Sequence, residues 1–475
     1  MRVRHARFAA RMAAATAGVA LMLLPAGCSS TASDRGSARS AATRSVVRPP
    51  LTAEQRALNV ASFDYVWQTV RDRHWDPDLG GLDWQAVRLE LRPRVESAES
   101  MDAARGVMRE ALDRLKQSHF AIISGEVYSQ VSDAGVEEPT DMPAKKDGPG
   151  ANGSDARSGM ELRVVDGVAL VTRVEPGSGA DRAGVRPGWI VESIRGRPTD
   201  RAIAAMSEQL QGPEAAAMIV RGFEGMISGA AGSVVPVGFL DGEDQPVIKP
   251  ITLDPPPGAP VRFGHLPPVH VEFVSTRLAG NIGYIRFNFF LDPGRVMPMF
   301  ASAMESFATA QGVILDLRGN LGGIGFMANG MSGFFVDKEG LKLGEMRTRD
   351  TTVNFVIFPR VEVYGGPVAI LVDELSYSTS EIMAGGLQDL GRARIFGSRT
   401  GGGALPSTIE KLPNGDGFQF AMANYVSASG RVLEGEGVVP DEEVRIDRAT
   451  LLRGLDPAVE AAKAWIQSGP LMMHR

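Results

Sequence analysis

Two short apolar runs constrain this chain more than any other feature of its 475 residues. "GVILDL" (312–317) and "VAILVD" (368–373) are almost continuously hydrophobic, without the apolar/polar alternation of a strand that has one wet face. Such runs belong to strands buried on both sides, and helical patterns lie between and after them, so an α/β layer architecture is expected for the last part of the chain. Each run feeds a distinctive turn. The first leads into the Gly-rich "RGNLGG", where glycine lets backbone amides approach a ligand. The second leads into "DELSYSTSEIMAGG", which places Ser376, Ser378, Thr379 and Ser380 just ahead of an apolar segment. Ser378 and Glu381 have capping-box spacing, and Ile382, Met383, Leu387 and Leu390 follow at helical intervals. The cluster therefore reads either as a helix start or as the seat of a nucleophilic hydroxyl, and the local pattern does not separate the two.

The length points to two or three domains. A formal net charge of -6 and the absence of a basic stripe give no reason to expect nucleic acid as a partner. The chain opens with Arg2, Arg4, Arg7 and Arg11, then an Ala/Val/Leu stretch ending in small residues, which is the pattern of a secretory signal. It ends at Cys28, the single cysteine, in "LPAGC". This resembles a bacterial lipobox, with Pro25 where leucine is usual, and implies a lipid-modified Cys28 holding the protein on a membrane in the cell envelope. An ordinary cleaved signal is the alternative. One cysteine excludes an intrachain disulfide and a cysteine-built metal site.

A Ser/Ala/Arg/Pro-rich tether runs to about residue 50. Helical periodicity follows, with Leu58, Phe63, Val66, Trp67 and Val70 on one stripe and a further helix stopping near Gln117. A polar Gly/Pro-rich stretch separates this from "MELRVVDGVALVTRVEPGSGADRAGVRPGWIVESIRG". That segment resembles a PDZ domain, although the family usually has Asp where Trp189 stands. The resemblance implies strand addition of a peptide, with its carboxylate loop at Gly159, Met160, Glu161 and Leu162, a poor match to the usual Gly-Φ-Gly-Φ. "SVVPVGFLDGEDQPVIKPITL" reads as a closing hairpin turning at Asp-Gly, and Ala202–Gly229 is longer and more helical than a minimal PDZ domain needs.

"DLRGNLGG", the Ser-x-Ser-x-Ser-Glu run Ser376–Glu381 and "EGEGVVPD" together resemble the serine peptidases that include C-terminal processing proteases, tricorn and interphotoreceptor retinoid-binding protein. The resemblance covers nearly everything after residue 51. It implies a multidomain α/β protein: an N-terminal helical domain, a β-rich PDZ domain and a C-terminal α/β, ClpP/crotonase-like peptidase core. The expected division is signal 1–28, tether 29–50, helical domain 51–125, linker 126–157, PDZ domain 158–254, linker 255–278 and core 279–475.

The resemblance also implies Ser378 as nucleophile. The processing branch takes its lysine base from the segment that reads "RTGGGAL" here, where Gly403 stands and the next lysine is Lys411. A serine hydroxyl needs a positioned base. The tricorn-like branch uses a histidine from a Ser-His pair at the end of the helical domain, which maps onto Ser118 and His119. A carboxylate should orient the imidazole, and the family pattern gives Glu434, with Glu436 as fallback. Thr379 and either Gly322 or Gly323 would supply oxyanion donors. The expected function is a membrane-anchored endopeptidase or C-terminal processing protease acting on proteins or peptides, with no metal or organic cofactor. The competing class is an inactive peptidase-fold adaptor or ligand carrier, and His74 in "RDRHWD" is an alternative base.

Overall fold

The computed structural model describes residues 50–125, 156–209, 213–261 and 269–469. The expected leader, Cys28 and nearly all of the tether and of the 126–157 linker lie outside the described residues.

Helices Ala53–Arg73, Trp84–Glu96 and Met101–Asp113 open the described chain. Each begins at a side-chain cap: Thr52 and Gln55 form a capping box, Asp83 accepts from the Ala86 amide and Ser100 from that of Ala103. Phe63, Val66, Trp67 and Val70 are buried as the stripe predicts, whereas Leu58 is exposed. These helices do not close a core of their own. Their apolar faces run on into Leu412, Phe418 and Phe420. Those residues belong to a three-stranded antiparallel sheet in the order Ala121–Ile123, Gly417–Ala421, Ser407–Lys411, or sit directly beside it. The end of the expected helical domain is thus a strand, with Ala121 opposite Gln419. A buried ion pair reinforces the join. Arg105 Nη2 donates to Asp416 Oδ1 at 2.8 Å, and the same carboxylate accepts from Gly125 N at 2.6 Å and Asn414 Nδ2 at 3.0 Å.

Residues 156–254 build an antiparallel sheet with its own core, in the order Met160–Val165, Val168–Val174, Ile190–Ile194, Val234–Leu240, Pro246–Thr252. The last two strands form the expected hairpin, but Asp-Gly begins a longer loop closed by Asp241 N to Gln245 O at 3.1 Å. Trp189 meets Phe239 edge-on at 5.6 Å, with Lys249 5.7 Å over its face. The helical excess resolves into helices Thr199–Gln209 and Pro213–Met226. The second lies against the outer strand Met160–Val165.

The main sheet has six strands, ordered Phe273–Leu278, Ile282–Phe287, Gly312–Asp316, Val368–Val372, Arg394–Gly397, Glu442–Glu443. The first pair is antiparallel and the rest are parallel. Its two central strands are the two apolar runs. Val313, Leu315, Val368, Ile370 and Val372 face helices Pro293–Ser306, Gly325–Ser332 and Thr379–Asp389. Ile314, Ala369 and Leu371 face helix Pro457–Gln467 from the other side. Period-two alternation is present, but both faces are apolar because both are covered.

Replacing Asp416 by Ala strands the Arg105 guanidinium in the interior. We expect a loss of about 3–5 kcal/mol in denaturant unfolding, the range for breaking one side of a buried pair; a loss under about 1 kcal/mol would show that the pair does not carry this join.

Candidate active site

The strand Val368–Val372 ends at Asp373, and helix Thr379–Asp389 begins six residues later. Ser378 is the hinge residue between them. Its φ of 57° and ψ of -114° lie outside the regions that L-residues ordinarily occupy. Such a conformation costs on the order of 1–3 kcal/mol and persists only where the surroundings hold it. The surroundings are specific. Asp373 Oδ1 accepts from Gly319 N at 2.9 Å and Leu375 N at 3.1 Å, tying the two Gly- and Ser-rich turns together. The Asp373 carboxylate is held in turn by Arg163 of the middle sheet, Nε to Oδ2 at 2.9 Å.

The hydroxyl cluster now separates by role. Ser376 Oγ donates to Leu317 O at 2.8 Å, Thr379 Oγ1 to Gly323 O at 2.8 Å and Ser380 Oγ to Asn320 O at 2.9 Å. Three of the four hydroxyls stitch the helix start onto the Leu317–Gly323 turn, and Ser378 is the one not used in that way. The capping interaction is also present, with Glu381 Oε2 accepting from Ser378 N at 2.9 Å.

A Cβ on Gly322 would come within 2.8 Å of Ser378 Cβ and 2.9 Å of Thr379 N, so only glycine admits this approach. The Gly322 amide is committed, donating to Asn320 Oδ1 at 2.9 Å. Its carbonyl accepts from Phe290 N at 2.8 Å. In a trans peptide N–H and C=O point oppositely, so that bond turns the Gly323 N–H away from Phe290. The Gly323 and Thr379 amides have no partner among the described residues. Of the two glycines, Gly323 is therefore the one with an available donor.

The histidine arrives from the other end of the chain. His119 is buried with a left-handed φ of 63°. Its Nδ1 lies 2.6 Å from Ser118 Oγ, and Ser118 Oγ donates to Glu434 Oε2 at 2.8 Å. Glu434 also accepts from Ser118 N at 2.6 Å and Ala404 N at 3.1 Å. A hydroxyl has one proton to give. Since it goes to Glu434, Ser118 must accept from Nδ1–H, which leaves the lone pair on Nε2. That Nε2 is buried and makes no hydrogen bond among the described residues. Burial lowers the imidazole's pKa to about 3.

The carboxylate expected to orient the imidazole, Glu434, reaches it through Ser118. Glu436 is turned away, its side chain largely exposed and paired with Arg399 at 2.6 Å. His74 has both ring nitrogens engaged, by Asp76 and by Gln117. Glu381 was legible as a cap but not as a hub. It accepts from Ser378 N at 2.9 Å, Thr400 Oγ1 at 2.6 Å, Gly402 N at 2.8 Å and Gly403 N at 3.0 Å. Burial pushes its pKa up to about 7 against these donors. The next amide along, Ala404, is the one on Glu434, so one glycine loop bridges the Glu381 carboxylate beside Ser378 and the Glu434 carboxylate behind His119. In the middle sheet, Met160 and Leu162 are buried, and Glu161 pairs with Arg173 at 2.7 Å and with Arg286 of the main sheet at 2.8 Å.

The Ser378 hydroxyl at a strained strand-to-helix turn, amides beside it without a partner among the described residues, and the carboxylate-backed His119 imidazole are the kinds of group that serine hydrolases use. The family model "Peptidase family S41" matches residues 281–444, and "Tricorn protease C1 domain" matches residues 60–113. The "Probable CtpA-like serine protease" of Staphylococcus epidermidis is 25% identical over 347 residues, covering 71% of this chain and 62% of that protein. The "Putative tricorn protease homolog 2" of Streptomyces coelicolor is 25% identical over 429 residues, covering 86% of this chain and 32% of that one. The chain thus spans less than two thirds of the length of these relatives. Among solved structures, mature CPAF aligns with TM-score 0.58 at 12% identity, covering 89% of this chain and 100% of that one. The photosystem II D1 C-terminal processing protease aligns with TM-score 0.51 at 19% identity, covering 86% and 98%. These matches support a peptidase S41 domain over residues 281–444.

His119 should stay neutral far below the usual histidine range. Its contribution to stability is complete above the ordinary value of 6.5 and is lost as pH falls towards 3. An NMR titration of the His119 ring should show no midpoint between pH 8 and 5; a midpoint near 6.5 would mean that the ring is solvated.

Proposed function

We propose that the chain is a serine endopeptidase of the C-terminal processing type. Ser378 Oγ attacks the scissile carbonyl carbon and passes its proton to His119 Nε2. The resulting oxyanion is received by the Gly323 and Thr379 amides. Collapse of the tetrahedral species breaks the C–N bond, and the imidazolium protonates the departing amine. A water activated by the same Nε2 then hydrolyses the acyl-enzyme, returning the proton to Ser378. Glu434, acting through Ser118, keeps the proton on Nδ1 and stabilises the charged ring.

One observation carries this reading: the chain of hydrogen bonds from His119 Nδ1 through Ser118 Oγ to Glu434, with Nε2 buried and unpaired. The depressed pKa makes the ring a weak base, so the reading requires substrate binding to bring Ser378 and Nε2 into register and to stabilise the imidazolium.

The middle sheet acts as a PDZ domain in this proposal. Its outer strand Met160–Val165 beside helix Pro213–Met226 is the arrangement that strand addition uses, and Ala217 and Val220 of that helix pack on Leu375 and Tyr377 next to the nucleophile. The two-faced main sheet with its helical layers supports a ClpP/crotonase-like core, and the proposed domain limits are those of the sequence reading. Substrates are proteins or peptides. The basic start, apolar stretch and Cys28 support export and lipid anchoring at the bacterial cell envelope.

A fluorophosphonate probe tests the reaction. Wild-type protein should be labelled, Ser378→Ala not at all, and His119→Ala should lose at least about a thousandfold in turnover of an unfolded protein substrate. Absence of labelling in folded wild-type protein that still binds peptides would instead identify an adaptor.

A further inference from the structure

His74 is almost completely buried, yet it takes no part in the chemistry above. It ends the first helix, and its surroundings point at a single target. Nδ1 lies 2.9 Å from Asp76 O and 3.0 Å from Asp76 N. Nε2 lies 2.9 Å from Gln117 Oε1, an acceptor, so the bond to Gln117 is made with the proton on Nε2. The ring stacks on Phe120 with centroids 5.8 Å apart and planes 17° from parallel. Its own carbonyl is fixed by Arg349 Nε at 3.1 Å. Gln117 and Phe120 bracket Ser118 and His119, so His74 grips that pair from both sides.

The bracketed turn needs such a grip. Lys116 and His119 both have left-handed backbones, with φ of 52° and 63°, and neither is glycine. Strain of this kind survives only where neighbours hold it. Glu434 holds Ser118 from one side of the turn. Among the described residues, only His74 is in hydrogen-bond or ring contact with both Gln117 and Phe120.

We propose that His74 is a positioning residue that fixes the strained turn around His119 and so sets the orientation of the imidazole. It acts through Gln117 and Phe120 and exchanges no proton with substrate. The proposal rests on His119 being the base.

The test uses the full chain and a fluorophosphonate, read as the first-order labelling rate at saturation, the half-saturating concentration and the melting temperature. His74→Phe keeps the stack and loses the bond to Gln117. It should slow saturated labelling by about tenfold, leaving half-saturation and melting nearly unchanged, because misplacing a catalytic group acts on the step and not on binding. His74→Gln, whose amide can still donate to Gln117, should recover most of that loss. In a His119→Ala background, His74→Phe should change the residual rate no further. Wild-type labelling by His74→Phe would overturn the proposal, as would an equal further loss in the His119→Ala background. A rate loss tracking a fall in melting temperature, unrelieved in His74→Gln, would reduce His74 to a packing residue. If His119→Ala labels as fast as wild type, the base assignment itself fails, and this proposal falls with it.

Discussion

The Glu434 carboxylate holds the two ends of the chain to one site. It takes both the amide and the hydroxyl of Ser118, 316 positions earlier, and the amide of Ala404 on its own side. The consequence is directional. A carboxylate can only accept, so the single hydroxyl proton of Ser118 is drawn to it, and the imidazole must supply the next proton in line. The tautomer of His119 follows from that, and so does the bare Nε2.

The rest of the site hangs from the same loop. Gly402 and Gly403 give their amides to Glu381, whose other acceptor positions hold Ser378 N and Thr400. A side chain on Gly402 would crowd the loop: its Cβ would sit 3.1 Å from the Gly435 carbonyl carbon. Where the processing branch carries its lysine, this chain carries a run of small residues that lets two carboxylates share one stretch of backbone. In the proposed function the base comes from the helical region instead. That region is rigidly placed, because its apolar core continues into Phe418 and Phe420 and its buried Arg105 is neutralised by Asp416. A positioning network is only as exact as the elements it stands on.

The middle sheet contributes to the same geometry from a third direction. Arg163 and Asp373 are both nearly fully buried, and their pairing places a guanidinium directly behind the turn that presents Ser378. A buried ion pair of this kind offers little net stability, since desolvation opposes the Coulombic gain, but it penalises any arrangement in which either group is left alone. Contacts of Ala217 and Val220 with Leu375 and Tyr377 lie alongside.

Much of this was readable from residue order. Continuous apolar runs identified both central strands, since a strand covered twice has no polar face to show. S-x-x-E spacing located the start of helix Thr379–Asp389, and the resemblance pointed to Ser118, His119, Ser378 and Glu434. Local spacing failed wherever a partner is distant in the chain. Ser118 as the bridge, Glu381 as the hub and Gly323 as the available amide depend on which atom already has a partner. That occupancy is a property of three-dimensional neighbours: a hydroxyl, a carboxylate or an amide looks the same in a sequence whether committed or free. Periodicity and turn chemistry are local and survive in the one-dimensional string, while the sharing of protons among residues 118, 119, 404 and 434 exists only once packing has brought them together.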